Sequence, residues 1–246
     1  MECHVFYSAR EIDDCSGISS PLGSVSGSGI TVGPILEYHM SWLMATCYDR
    51  LIQQSEEACL RGWRRDLLSG LKGRVLEVGA GTGLNVPYYP PTVTRLVLSE
   101  PEPHMRSKLQ LRLAAALTAQ VELSDATLDH LPMPDQSFDA VVSTLVLCSV
   151  RDLQQALEEI RRVLAPGGQL FFLEHVGAED RPHRLKWQRR VEPLWKVLAG
   201  NCHLTRRTEQ AIKHTGFDLI QIRRESIRKA MPLVRPSIRG IAVRSS

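Results

Sequence analysis

Residues 74–83 read Arg74-Val75-Leu76-Glu77-Val78-Gly79-Ala80-Gly81-Thr82-Gly83. The apolar run Val75–Val78 has the length of a buried parallel strand, and the alternating glycines Gly79, Gly81 and Gly83 mark the sharp turn that leaves its carboxyl end. Open α/β sheets bind nucleotide-like ligands at that edge. A glycine there permits positive φ and lets a ligand approach the bare backbone. Glu77 stands just before the turn, where an acid suits a cation better than a phosphate. Taken alone, the glycines also fit dehydrogenases and ordinary structural turns.

Further runs follow in order. Arg95-Leu96-Val97-Leu98-Ser99 ends in Glu100, 21 residues after Gly79. A carboxylate at that spacing can accept ribose hydroxyls, in NAD and in S-adenosylmethionine alike. The run 120–124 ends in Asp125-Ala126, where an acid can meet an adenine amino group. Residues 137–144 form a fourth run that ends at Thr144. After a helical stretch and Pro166-Gly167-Gly168, residues 169–174 form a fifth, ending in Glu174-His175. Strand–helix alternation of this kind predicts a parallel sheet. Phe217–Arg223 and Ile238–Val243 read as a last pair of strands, with Thr208–His214 a helix before them.

This ordered set, across roughly residues 45–245, resembles the class I S-adenosylmethionine-dependent methyltransferases, in particular the ubiquinone/menaquinone C-methyltransferase-like branch. The segments 143–150 (STLVLCSV), 172–180 (FLEHVGAED), 187–206 (WQRRVEPLWKVLAGNCHLTR) and 234–243 (VRPSIRGIAV) are similar to the methyltransferase-like seven family, whose animal members are thiol S-methyltransferases. The resemblance implies a Rossmann-like α/β fold: a seven-stranded, mostly parallel sheet with one antiparallel strand and helices on both faces. It implies S-adenosyl-L-methionine as cofactor, held by Glu77, Gly79, Gly81, Gly83, Glu100, Asp125, Ala126 and Thr144. It implies that Tyr48 reaches over the cofactor's carboxylate end, unless that side chain only packs in the core. The implied activity is methyl transfer to a small molecule. Sulfur is the first acceptor considered; a phenol, quinone precursor or lipid is the second.

Two readings of other classes stay open. An NAD-dependent oxidoreductase is disfavoured, because the third glycine comes one residue early for G-x-G-x-x-G and Glu77 would repel a pyrophosphate. A cofactor-binding module without turnover is the other. No motif for gripping an exocyclic base nitrogen is present, and no nucleic-acid partner is expected.

Methyl transfer asks little of side chains beyond positioning, exclusion of water and removal of the acceptor's proton. His175 is the candidate base or relay, since imidazole as a group suits proton transfer near neutral pH, and Glu174 is the candidate orienting group. The alternative is a structural pair closing the strand. None of the six cysteines (Cys3, Cys15, Cys47, Cys59, Cys148, Cys202) lies in a C-x-x-C pair or at zinc spacing, which reads as reduced cytosolic thiols. Cys148 is expected to pack near the cofactor. Cys202-His203 is expected on a loop, structural for want of a third partner.

The chain of 246 residues suffices for one sizeable core. Residues 1–33 read as a flexible Gly/Ser-rich arm. Residues 34–246 read as the catalytic domain, with an N-terminal helical cap (about Leu36 to Ser69) and a helical insertion near 180–205. The arm lacks a signal-peptide core, and no run reaches membrane-spanning length, unlike the anchored animal relatives. Charge is uneven: residues 181–246 carry 16 Lys+Arg against 4 Asp+Glu, and residues 1–180 carry 14 against 23. This reads either as solvated helix faces or as a surface for an anionic membrane or acidic substrate. Trp187, Leu194, Trp195 and Leu198 form an apolar stripe that either packs in the core or supplies apolar surface to the acceptor pocket, beside Arg184, Arg189 and Arg190. The expected location is cytoplasmic, with peripheral membrane contact through this basic part as an option.

Overall fold

The structure is a computed structural model, and residues 48–114 and 120–245 are described. Residues 48–68 are helical and include a five-residue π turn, Glu56–Leu60, before α1 (Arg61–Leu68). The chain continues through β1 (Gly73–Val78), β2 (Val93–Ser99), α2 (Pro103–Leu113), β3 (Gln120–Ser124) and β4 (Phe138–Thr144). It ends with α3 (Leu153–Val163), β5 (Leu164–His175), α4 (Pro182–Leu198), α5 (Thr208–His214), β6 (Phe217–Ser226) and β7 (Pro236–Arg244). The expected arm 1–33, and the cap residues before Tyr48, lie outside the described residues.

One seven-stranded sheet carries the fold, in the order β3-β2-β1-β4-β5-β7-β6. All pairings are parallel except those of β7, which runs antiparallel to both β5 and β6. The chain steps outward from β1 to β3, then crosses back to β4. The carboxyl ends of β1 and β4 therefore flank the topological switch point, where such sheets open a ligand crevice.

Alternation along β1 sends Leu76 and Val78 to one face and Val75 and Glu77 to the other. The first face meets α3, whose Leu153, Ala156, Leu157, Ile160 and Val163 are buried at helical spacing. Asp152 caps that helix by accepting from the backbone N–H of Gln154 and Gln155. Ile212 of α5 joins the same cluster. The second face meets Leu60, Leu67 and Leu68 from the first helical segment and Leu109 from α2. Helices thus cover both faces, and each fully buried leucine contributes about 1.5–3 kcal/mol.

Element boundaries differ from the sequence reading in two places. β5 starts at Leu164, ahead of the apolar run at Gln169: Leu164 pairs with Phe138, and the register then shifts to Ala140 with Gln169, so 165–168 bulge out of the ladder. The helix of the insertion expected near 180–205 is confined to Pro182–Leu198: proline suits a first helical turn, where its missing N–H has no carbonyl to meet.

Two glycines separate packing from propensity. A Cβ on Gly240 of β7 would lie 2.1 Å from the Gln221 carbonyl oxygen and 2.9 Å from Phe172 Cζ. A Cβ on Gly62 of α1 would meet nothing within 4 Å. Gly240→Ala should lower the urea midpoint, at a cost of more than about 1 kcal/mol. Gly62→Ala should raise stability by up to about 1 kcal/mol through helix propensity.

Candidate functional site

The residues singled out from sequence gather at the carboxyl edge of the sheet, and they fall into three groups. The first is the turn after β1. Gly79, Gly81 and Gly83 all adopt positive φ, at 59°, 58° and 85°. A Cβ on Gly79 would lie 2.6 Å from Val146, and one on Gly83 2.7 Å from Leu109, so these two are closed by packing. At Gly81 the nearest atom is the Gly79 carbonyl oxygen at 4.0 Å. The bare backbone at Gly81 is therefore the part of the turn a ligand can approach. Its N–H donates to Glu100 Oε2 at 2.7 Å, and the Glu102 N–H donates to Oε1 at 2.9 Å. Each Glu100 oxygen keeps a lone pair. Burial pushes the Glu100 carboxyl above the usual carboxylate range. Asp125 is exposed at the end of β3, and the Ala126 carbonyl accepts from Ser99 Oγ at 2.7 Å.

The second group is a buried polar network on the α1 face. Arg64 Nε donates to Glu56 Oε1 at 3.0 Å. Arg64 Nη1 donates to Asn85 Oδ1 at 2.9 Å and to Thr144 Oγ1 at 3.0 Å. Asn85 Nδ2 donates to Glu77 Oε1 at 2.7 Å and to Thr144 Oγ1 at 3.0 Å. Tyr89 OH donates to Glu77 Oε2 at 2.5 Å. Glu77 is 1% exposed and turns both oxygens to protein donors, so its reach toward a cation is through its field and not through an open face. Thr144 is likewise enclosed. Burial lifts the Glu77 carboxyl to about 7, against the opposing hydrogen bonds from Tyr89 and Asn85 and the charge of Arg64. Nearby, burial pushes the Tyr48 phenol up to about 12.

Arg64, Glu56, Asn85 and Tyr89 escaped the sequence reading. One signal for Arg64 was present: it stands where an apolar residue belongs in the stripe Leu60, Arg64, Leu67, Leu68. Asp49, next to Tyr48, is a further residue that escaped it. It accepts from Thr82 Oγ1 at 2.6 Å and pairs with Arg112 Nη2 at 2.6 Å, which ties the glycine turn to both helical segments.

The third group closes β5. Glu174 is fully buried; its Oε1 accepts from Ser143 Oγ at 2.7 Å and from the Val146 N–H at 3.2 Å. Burial raises its carboxyl too. His175 is 5% exposed, with Nε2 against Cys202 Sγ at 2.9 Å. Cys148 joins this pair, so Cys202 has the partners its sequence neighbourhood lacked. His203 instead faces Glu192 at 3.5 Å. Glu174 and His175 are thus brought to the expected edge, but inside the protein.

Beside them lies a cavity of ≈ 670 Å³ whose lining includes Val176, Gly177, Arg184, Arg206, Arg224 and Ser237. Its walls are charged. The expected apolar lining is elsewhere: Trp187 and Leu194 are 61% exposed and Leu198 52%, on the outer side of α4.

The Glu77 carboxyl rises from 4.5 to about 7 in the fold, so the native state holds this proton more tightly than the unfolded chain. Its contribution therefore lowers stability as pH climbs through that window and is neutral below it. Glu77→Gln should narrow or reverse its stability deficit relative to wild type between about pH 5 and about pH 8. Urea unfolding at both pH values checks this, and an unchanged difference would contradict it.

A model of the family described as "Methyltransferase domain" matches residues 76–172, which run from β1 through most of β5. Thiol S-methyltransferase TMT1B of Rattus norvegicus is 35% identical over 221 residues, covering 86% of this chain and 88% of its own length. Thiol S-methyltransferase TMT1A of Homo sapiens is 36% identical over 191 residues, covering 74% and 78%. A SAM-dependent methyltransferase from Thermotoga maritima, 19% identical, shares the fold with a TM-score of 0.61, covering 85% of this chain and 99% of its own. These matches remove the oxidoreductase reading. The open approach at Gly81 beside the Glu100 carboxylate fits a nucleoside-bearing cofactor. The chain belongs to the S-adenosylmethionine-dependent methyltransferases, in the family of the thiol S-methyltransferases TMT1A and TMT1B, and S-adenosylmethionine is its cofactor.

Proposed function

We propose that this enzyme methylates the sulfur of a small thiol. The observation that carries the reading is likeness to a thiol S-methyltransferase along 86% of the chain. Bound S-adenosylmethionine supplies an electrophilic methyl carbon on a sulfonium. Gly81 admits the ligand to the backbone, with Gly79 and Gly83 holding the turn. Glu100 accepts the ribose hydroxyls and Asp125, with Ala126 beside it, meets the adenine. Glu77 presents negative charge from behind the turn, Thr144 fixes the network around it, and Tyr48 borders the amino-acid end.

On the acceptor side, a free thiol has a pKa near ~8.5, so a modest shift suffices to deprotonate it. His175 takes or relays that proton, and Glu174 orients the strand end. The charged cavity beside His175 suits an acceptor with a polar or acidic substituent, while the apolar part of an amphiphilic acceptor lies toward α4. Residues 34–246 form the catalytic domain of this reading.

The outer face of α4 supports one more element. Trp187, Arg190, Leu194, Val197 and Leu198 share one exposed side, and the Arg190 guanidinium lies 5.9 Å from the Trp187 ring. Basic and apolar groups together suit the surface of an anionic bilayer. No helix among the described residues is long and apolar enough to cross one.

Calorimetry with S-adenosylhomocysteine should give micromolar binding that Gly81→Arg or Glu100→Ala abolishes. Assays with a panel of thiols and phenols should show methyl transfer to thiols first, and His175→Ala should lose at least about tenfold in rate. Transfer to phenols alone would refute the sulfur reading, and a smaller loss would refute the role of His175. Sedimentation with vesicles containing anionic lipid should carry the protein down, and Trp187→Glu with Leu194→Glu should leave it in solution. Equal sedimentation of both would exclude this face.

A further inference from the structure

We propose that Cys148, His175 and Cys202 form a zinc site with an open fourth position. The three residues come from separate parts of the chain: the segment after β4, the last residue of β5, and the loop after α4. Their ligating atoms lie within 4.8 Å of one another. His175 Nε2 already stands 2.9 Å from Cys202 Sγ. A tetrahedral zinc centre, with bonds of about 2.3 Å to sulfur and about 2.0 Å to nitrogen, spaces two sulfurs roughly 3.8 Å apart and a sulfur and nitrogen roughly 3.5 Å apart. Both spacings lie between the 2.9 Å His175–Cys202 contact and the 4.8 Å span of the set.

The donor chemistry selects the ion. Two sulfurs and an imidazole suit zinc and exclude magnesium and calcium, which take oxygen ligands. Charge points the same way. Cys148 and Cys202 are each less than a tenth exposed. Burying two thiolates without a counter-charge is costly. A divalent cation offsets both thiolates and makes the centre neutral, so zinc binding must release protons and strengthen as pH rises.

Three protein ligands leave one tetrahedral position for water or a small thiol, the pattern of a reactive centre rather than a closed structural one. The position lies at the same sheet edge as Gly81. Resting on the thiol-methylation reading, it would bind the acceptor: the thiol gives its proton to solvent, its sulfur bonds zinc, and His175 serves as ligand in place of base. The metal site itself does not depend on that reading.

The test uses the full chain, purified with reductant and chelator and then given zinc or cobalt(II). About one zinc should bind per chain, and cobalt should show the thiolate charge-transfer and ligand-field bands of a tetrahedral centre. Cys148→Ser and Cys202→Ser should each weaken zinc binding at least tenfold, while Cys59→Ser, buried outside the cluster, should not. S-adenosylhomocysteine binding, measured on every variant, reports that the fold and cofactor seat survive. In the wild type, zinc should also shield Cys148 and Cys202, but not Cys59, from alkylation. A protein that binds S-adenosylhomocysteine but takes up no zinc would overturn the site. So would unchanged affinity in Cys148→Ser, uptake of copper(I) alone, or a Cys148–Cys202 disulfide under reducing conditions. Zinc and S-adenosylhomocysteine binding without thiol methylation would remove only the role given to the fourth position.

Discussion

A guanidinium taken out of water must have its donors and its charge met, and meeting those of Arg64 organises the carboxyl edge of the sheet. Its partners come from the π turn (Glu56), the segment after the glycine turn (Asn85) and the end of β4 (Thr144). Through Asn85 the network reaches Glu77 at the end of β1. Four parts of the chain are thus held by one side chain, at hydrogen-bond lengths. Removing the guanidinium would strand a buried carboxylate and leave acceptors unmet, which costs more than the pair itself is worth. The π turn has a role here: the extra residue in that turn places Glu56, Cys59 and Leu60 inward together.

The network holds two carboxyls, Glu56 and Glu77, against a single guanidinium. Burial therefore raises Glu77 until its proton is retained near neutrality. A cation beyond the turn lowers the cost of ionising it. This gives the acid before the glycines a physical relation to a sulfonium-bearing cofactor, although its oxygens face Tyr89 and Asn85. The expectation from sequence was contact with the cofactor; both Glu77 oxygens bond protein donors here.

The sheet was legible because its strands are local apolar runs that end in glycine or acid, and their order fixed the crevice. One antiparallel strand was implied by the family resemblance alone, and it is β7. The polar interior was not legible to the same degree. Arg64 looked like a solvent-facing helix residue because neighbouring Arg61 and Arg65 are exposed, and only the apolar stripe around it marked it as different. The sulfur–imidazole group was invisible for a different reason: spacing rules for metal sites search short segments, and Cys148, His175 and Cys202 converge only after the intervening α3, β5 and α4 are folded. Trp187, Leu194 and Leu198 misled in the other direction, because helical apolar spacing does not say whether a pocket or solvent lies opposite.

The end of β4 shows how these buried groups bear on chemistry. Successive strand residues point to opposite faces, so Ser143 and Thr144 leave the sheet on different sides. Ser143 donates to Glu174 at 2.7 Å, whereas Thr144 accepts from Arg64 and Asn85, each at 3.0 Å. A buried acid therefore stands behind each face of the strand that borders both the cofactor turn and the acceptor side. Glu174 also receives the Val146 N–H, and Val146 in turn packs where a Cβ on Gly79 would fall. The glycine turn and the His175 end of β5 are consequently linked by one short, fully bonded segment. In a reaction where in-line placement of nucleophile and methyl carbon supplies most of the rate, stiffness between those two points is the property the fold has to provide. The charged side chains buried on either side of β4 provide it more firmly than apolar packing, because any slip leaves a polar group unpaired.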